Sequence, residues 1–449
     1  MPSLPKEFEE RMRAELGSGF NYFLESLQIS SPVSIRLNPD KATSIEGEPI
    51  PWTKFGRYLT ERPIFTLDPA LHAGAYYVQE ASSMLLEQAL IQSADLTKPL
   101  RVLDLCAAPG GKSTHILSLL NSESLLVSNE VIRSRSSILS ENIQKWGHSN
   151  VVVTCNDPED FKRLEGFFDV IVIDAPCSGE GLFRKDPNAM AEWSTDTVQL
   201  CTQRQRRILS DVVPALKEDG ILIYSTCTFN EQENENNLNW IAQEEEFNFL
   251  PLTLNPQWGV KTILKGNAIG YRCFPHQVKG EGFFISVMRK KTSAKQIRMK
   301  SKSRFTFASK KIIEQLQDWI IPSVQFDFIQ QENLLITIPI ALKEDVQFLQ
   351  GQLHIVTKGT AMAEVKHDKL IPEHSFALSI NLNEDHFQKI NLNLDQALQF
   401  LRKESFMLND QRKGFALVKY QENSLGWVNL LGNRLNNLYP TAWRIRMGS

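Results

Sequence analysis

Two cysteines stand where a nucleophile would be useful. The apolar run of "IVIDAPCSGEG" (171–181) stops at Asp174 and delivers Cys177 three residues later; "GILIYSTCT" (220–228) stops in the same way at Cys227. Both runs have the apolar, β-rich texture of strands, so both thiols fall in polar turns where a strand gives way to a loop. A cysteine inside a core behaves as a small hydrophobe, the reading that suits Cys155, Cys201 and Cys273. A thiol in a polar turn, near an acid or between two threonines, is reachable and can act as a nucleophile. Spacing alone does not say which of the two attacks.

A second stretch reads as a ligand cradle. In "VLDLCAAPGGKST" (102–114) a strand ends at Asp104, Gly110 and Gly111 make a turn, and a helix begins. Backbone N–H groups and a helix N-terminus therefore face the mouth of that turn. Gly111-Lys112-Ser113 would complete a phosphate-binding P-loop, but Cys106 occupies the position of its first glycine. The full dinucleotide pattern is absent as well. The next strand ends at Glu130, about 20 residues beyond the glycines, where a carboxylate can accept hydrogen bonds from both ribose hydroxyls. Asp157 in "TCNDPED" suits an adenine amino group, or equally the N-cap of the following turn. A nucleoside-type cofactor is expected, held by Cys106, Ala107, Ala108, Pro109, Gly110, Gly111, Lys112, Glu130 and Asp157, with Cys106 packing rather than reacting.

The elements that must position these residues alternate. Between about 100 and 290, "LRVLDL", "SLLVSNE", "NVVVTC", "FDVIVID" and "GILIYST" read as strands, several of them followed by helical stretches. That pattern predicts βαβ units, a parallel sheet covered on both faces, and ligand groups gathered at the carboxyl ends of the strands. "AIGYRCFPHQ" and "GEGFFISVMR" read as a closing antiparallel hairpin. The expected fold is a Rossmann-like α/β domain, with a helical lead-in over 1–95 and a region of mixed helix and strand after 304. The expected divisions are 1–95, 96–290, a basic linker at 291–304, 305–375 and 376–449.

Composition bounds the class. The 449 residues are 42% hydrophobic and 22% charged, with a net charge of −3, as for a soluble chain of several domains. "MPSLPKEFEERMRAEL" has neither the apolar core nor the cleavage site of a signal peptide, and no run approaches the length of a membrane span. A cytoplasmic monomer without membrane contact is expected. The six cysteines show no C-x-x-C pair, so neither a disulfide framework nor a metal site is expected. The segment 288–304 carries eight Lys or Arg and no acid, which suits a solvated linker or a phosphate-contacting strip.

Taken together, "DLCAAPGGKS", "DAPCSGEG", "YSTCT" followed by "ENE", and "FPHQ" followed by "GEGFF" resemble the Nop/Sun family of S-adenosylmethionine-dependent RNA cytosine-5 methyltransferases. "YYVQEASSM" and "FRKDP" are similar to its RsmF-like ribosomal branch, over roughly 30–290, and 376–449 resembles that branch's PUA-like RNA-binding module. The resemblance implies that S-adenosylmethionine is the cofactor and Cys227 the thiolate that adds to carbon 6 of cytosine. It implies further that Asp174 acts at ring nitrogen 3 and also borders the cofactor, and that Cys177 assists release. Small-subunit ribosomal RNA is the expected substrate. A transfer-RNA methyltransferase and a non-catalytic RNA-binding assembly factor are the alternatives.

Arg184 and Lys185 of "FRKDP" are candidates to hold an RNA phosphate. Arg36 and Asn38 of "SIRLN" receive no role from the residues alone, and His276 reads as structural.

Overall fold

The computed structural model describes residues 4–294, 305–367, 369–408, 410–432 and 434–447. The chain opens with α1 (Lys6–Leu16) and α2 (Phe20–Ser26), the expected helical lead-in. The first 95 residues also hold a four-stranded antiparallel sheet, ordered β2-β3-β1-β4, from β1 (Val33–Leu37), β2 (Glu48–Pro49), β3 (Gly56–Leu59) and β4 (Tyr76–Val78), with α3 (Pro69–His72) between the last two. Helix α4 (Leu86–Ser93) leads into the central sheet.

That sheet runs through β5 (Arg101–Asp104), α5 (Gly111–Leu117), β6 (Leu125–Asn129), α6 (Arg133–Trp146), β7 (Val151–Thr154), β8 (Phe168–Asp174), α7 (Pro187–Glu192), α8 (Thr195–Val212) and β9 (Leu216–Thr226). It continues through α9 (Glu235–Glu244), β10 (Phe247–Phe249), β11 (Lys261–Lys265), β12 (Ala268–Cys273) and β13 (Phe283–Lys290). Strands β9-β8-β5-β6-β7 lie in that order and are parallel. The antiparallel pair β12 and β13 closes the β9 side, as the hairpin reading expects. Burial on both faces explains the unbroken apolar runs. Val170 and Val172 of β8 pack with Leu126 and Val153 on one face, and Ile171 and Ile173 with Leu103, Val127 and Val152 on the other.

The C-terminal region holds α10 (Lys310–Leu316), β14 (Phe326–Gln331), β15 (Leu334–Pro339), α11 (Lys343–Gln350), β16 (Ile355–Lys358), β17 (Thr360–Lys366), β18 (Lys369–Pro372) and α12 (His374–Ala377). A last four-stranded sheet follows, from β19 (Gln388–Leu392), α13 (Leu394–Leu401), β20 (Lys413–Tyr420), β21 (Asn423–Leu431) and β22 (Leu435–Asn437). The region after 304 is not a separate body. Strand β16 pairs antiparallel with β7, Phe348 packs on Phe167, and Asp345 takes two hydrogen bonds from Arg101 of β5, at 2.8 and 2.7 Å. Covering β7 removes an exposed sheet edge. Of the basic strip, 295–304 lies outside the described residues.

Candidate active site

Parallel strands all end at one edge, and this brings the chemistry together. Asp104 and Asp174 are the last residues of β5 and β8, Glu130 follows β6 directly, and Cys227 follows β9. Because β8 and β9 are neighbours, the turns after them lie side by side, with Cys177 Sγ 3.1 Å from Cys227 Sγ. Glycine holds the turns that close. Gly181 N donates to the Cys227 carbonyl at 2.8 Å and Gly282 N to the Gly181 carbonyl at 3.2 Å. A Cβ on Gly282 would lie 2.4 Å from Gly181 Cα, so the two "GEG" segments meet glycine to glycine. Glu180, fully buried between them, accepts from Phe229 N at 3.2 Å and Trp193 Nε1 at 3.1 Å, and pairs with Arg11 of α1 at 2.5 Å. The N-terminal helix is thereby fastened to both cysteine turns.

Charge is distributed unevenly around the thiols. Lys112 Nζ lies 2.8 Å from Asp174 Oδ2, while Ser225 Oγ donates to Oδ1 at 2.9 Å. Burial works against the ammonium, but Asp174, with Asp104 and Cys227 nearby, outweighs it and holds Lys112 above its ordinary value. Lys112, expected in the cofactor turn, therefore places its charge on the acid that ends β8. The Cys177 thiol is pushed well up, first by its hydrogen bond with Cys227, then by burial and by the charges of Cys227 and Glu233.

Glycine also shapes the turn between β5 and α5. Gly110 sits at φ +116°, a conformation side chains resist, and a Cβ there would press on Leu139 Cδ1 at 3.3 Å. Ser113 Oγ donates to Asp104 Oδ2 at 2.6 Å, leaving Asp104 Oδ1 buried without a partner, and burial pushes that carboxyl up to about 7. Ala107 N donates to the Asn129 carbonyl at 2.8 Å, and Arg135 bridges the Ala108 carbonyl at 2.8 Å and the buried Glu130 at 3.3 Å. An orphaned carboxyl oxygen at one strand end and a second buried acid at the next fit a polar nucleoside ligand. Burial, with Asp104 next, drives the Cys106 thiol far up, so it stays protonated and packs. Asp157 caps Pro158–Leu164 through Glu159 N at 3.1 Å and pairs with Arg207 of α8.

The comparisons give the chain a family. Residues 93–289 match a family model described as 16S rRNA methyltransferase RsmB/F, 4–81 the N-terminal domain of 16S rRNA methyltransferase RsmF, and 387–445 the methyltransferase RsmF PUA domain. A protein named ribosomal RNA small subunit methyltransferase F from Aliivibrio salmonicida is 31% identical over 405 residues, 88% of this chain and 85% of that one. The chain belongs to the ribosomal RNA small subunit methyltransferase F family. The Escherichia coli protein of the same name is 31% identical over 471 residues, covering 97% of this chain and 95% of its own. Among solved structures, a methyltransferase homolog protein from Pyrococcus horikoshii superposes with a TM-score of 0.55 at 26% identity, over 64% of this chain and 95% of that one. Membership of this methyltransferase family makes the chain an enzyme, and gives the strand-end cluster its setting.

Within that family setting, one expectation is corrected. Arg184 does not face solvent: its side chain is 5% exposed, pairs with the equally buried Glu281 at 3.0 Å, and donates to the Gly280 carbonyl at 2.6 Å. Its guanidinium holds the 280–282 turn against the Cys177 turn and is not free for a phosphate. Lys185 is exposed. Arg36 and Asn38 prove to be braces. Arg36, fully buried, donates to Gln79 at 2.9 Å, Thr114 at 2.5 Å and the Gly111 carbonyl at 3.3 Å, and stacks on Trp146. Asn38 Nδ2 donates to the Gly74 and Trp146 carbonyls at 2.9 and 3.0 Å. His276 packs against Phe23 and Phe274, consistent with a structural part.

Residue types and spacing did not single out Glu233, Gln205, Glu180 or Arg11. The only trace of Glu233 was its place in "ENE" after "YSTCT". Burial pushes its carboxyl up to about 7 against the bonds it accepts from Ser178.

Proposed function

We propose that this methyltransferase modifies carbon 5 of cytosine in small-subunit ribosomal RNA through a covalent adduct on Cys227. The observation that carries the reading is the pair of thiols 3.1 Å apart at adjacent strand ends, beside Asp174. When bound, S-adenosylmethionine supplies an electrophilic methyl group; the turn from Cys106 to Lys112, with Glu130, Asp157 and Asp174 at its border, would hold it.

Carbon 5 of cytosine lies in an aromatic ring and is too weak a nucleophile to be methylated directly. The Cys227 thiolate adds at carbon 6, forming a C–S bond and making carbon 5 enamine-like. Asp174, held by Lys112 and Ser225, delivers a proton to ring nitrogen 3 as the thiolate adds and takes it back once carbon 5 is methylated, which neutralises the charge that develops there. Cys177 remains a thiol through this stage because Cys227 and burial hold its proton. Once Cys227 is bonded to the base, its hydrogen bond and charge no longer act on Cys177. Freed of those influences, Cys177 gives its own proton to solvent; the thiolate so formed takes the carbon 5 proton, and that C–H electron pair forms the carbon 5–carbon 6 double bond as Cys227 leaves as thiolate and the ring regains aromaticity.

A base stacked in a helix must be extruded to reach a thiol at a strand end. Lys185, the basic strip 288–304 and the PUA-like region 376–449 serve the flanking RNA, through contacts that weaken with salt. The enzyme acts as a monomer in the cytoplasm; among the described residues no helix is long and apolar enough to cross a membrane. Residues 1–95 serve as an RNA-binding lead-in and 96–290 as the catalytic domain, whose sheet and core 305–375 extend.

The test is product identity. Incubating the enzyme with small-subunit ribosomal RNA from a strain lacking it, and digesting to nucleosides for mass spectrometry, is expected to yield 5-methylcytidine. Methylation confined to transfer RNA, or placed on the exocyclic nitrogen, would overturn the reading.

A further inference from the structure

Cys177 is gripped through its two neighbours. On one side, Gln205 Nε2 of α8 donates to the Pro176 carbonyl at 2.9 Å. On the other, Glu233 Oε2 accepts from Ser178 N at 2.8 Å, and its second oxygen accepts from Ser178 Oγ. The two grips are joined, since Gln205 Nε2 also donates to Glu233 at 3.1 Å, and Asn237 Nδ2 donates to Gln205 Oε1 at 2.8 Å. Glu233 is fully buried, and its carbonyl accepts from Tyr224 Oη of β9 at 2.7 Å, so the grip is anchored in the core. Ser178 Oγ lies 3.1 Å from Thr228 Oγ1, which ties the same point to the turn carrying Cys227. No bond of this network reaches Cys227 itself, Lys112 or Asp174.

We infer that Glu233, with Gln205, is a positioning residue for release: it holds Cys177 at the reacting base and leaves the attack of Cys227 untouched. The inference rests on the proposed roles of the two cysteines. Buried, fully bonded carboxylates fix backbone well because each lost acceptor leaves a donor stranded. Here the stranded donors would be Ser178 N and Gln205 Nε2, and the turn between them is the one bearing Cys177.

Wild-type enzyme, Glu233→Ala, Glu233→Gln, Gln205→Ala and Cys177→Ala are each incubated with small-subunit ribosomal RNA and methyl-labelled S-adenosylmethionine. Label that co-migrates with protein under denaturing electrophoresis is the readout. Glu233→Ala is expected to accumulate adduct several-fold over wild type, as Cys177→Ala does, with Gln205→Ala intermediate and turnover reduced in step. Glu233→Gln keeps an acceptor for Ser178 N and is expected to restore release. A merely structural role would lower attachment and release together and leave no adduct. If Cys177→Ala accumulates adduct but neither Glu233→Ala nor Gln205→Ala does, the inference is overturned while the cysteine roles stand. If Cys177→Ala accumulates none, both are overturned.

Discussion

Replacing Gly181 with alanine should separate the two cysteine turns without unfolding the enzyme. Gly181 is not among the glycines of positive φ, so alanine is allowed by its backbone and only space decides. A Cβ there would lie 2.4 Å from the Gly282 carbonyl oxygen and 2.8 Å from that of Cys227, where ordinary contact begins at 3.4 Å. Both obstacles are backbone, so the turns must part by about 1 Å, a misplacement able to cost about 10²-fold in rate. The strain itself is expected to cost about 1–3 kcal/mol, small against the core of the central sheet. The assay is steady-state methylation of ribosomal RNA with labelled cofactor, alongside thermal unfolding and cofactor calorimetry. The expected result is a fall of about two orders of magnitude in kcat, a modest drop in Tm, and cofactor affinity near wild type. Wild-type kcat in a variant that folds would refute the claim that the Gly181–Gly282 contact sets the sulfur-to-sulfur geometry.

Arg36→Lys should destabilise by about 2–4 kcal/mol, because one ammonium cannot serve the acceptors that the guanidinium fork serves; denaturant melts check this, and a neutral effect would show that the fork is dispensable. Burial, with Lys145, Lys403 and Lys41 nearby, pushes the His374 imidazole down to about 3 from 6.5. The unfolded chain then gains a proton below pH 6.5 that the folded chain refuses, so stability falls on acidification, by about 2 kcal/mol at pH 5. His374→Asn should flatten that slope relative to wild type, whatever its absolute Tm, and parallel curves would contradict it. A chain ended at 290 should aggregate, since it uncovers the β7 edge and the faces that meet Phe305, Ile336 and Leu349; a soluble, monodisperse, cofactor-binding fragment would count against the shared core.

The strand ends were legible because the residues that do chemistry differ in kind from those that pack. An apolar run that ends in Asp174 or reaches Cys227 marks the sheet edge by itself, and the parallel order then forces convergence. Partners chosen across long sequence gaps were not legible. Arg184 and Lys185 are alike in "FRKDP", and it is Glu281, 97 residues on, with the Gly280 carbonyl beside it, that draws the first inward. Lys112 belongs to the cofactor turn in sequence, yet its ammonium is spent on Asp174, 62 residues on at the end of β8. The four residues of β16 carry too little pattern to announce that they extend a sheet begun at β5. The small sheet within 33–78 is hidden for the same reason, since its strands are two to five residues long.

The division of labour between the cysteines is tested most directly by trapping the adduct in single-cysteine variants. Cys177→Ala and Cys227→Ala are each mixed with ribosomal RNA and labelled S-adenosylmethionine, then resolved under denaturing conditions. Cys177→Ala should hold labelled RNA covalently and turn over slowly, while Cys227→Ala should form no adduct and transfer no methyl group. An adduct in Cys227→Ala that is absent from Cys177→Ala would reverse the assignment. Methylation intact in both variants, with no adduct in either, would contradict covalent catalysis at this site.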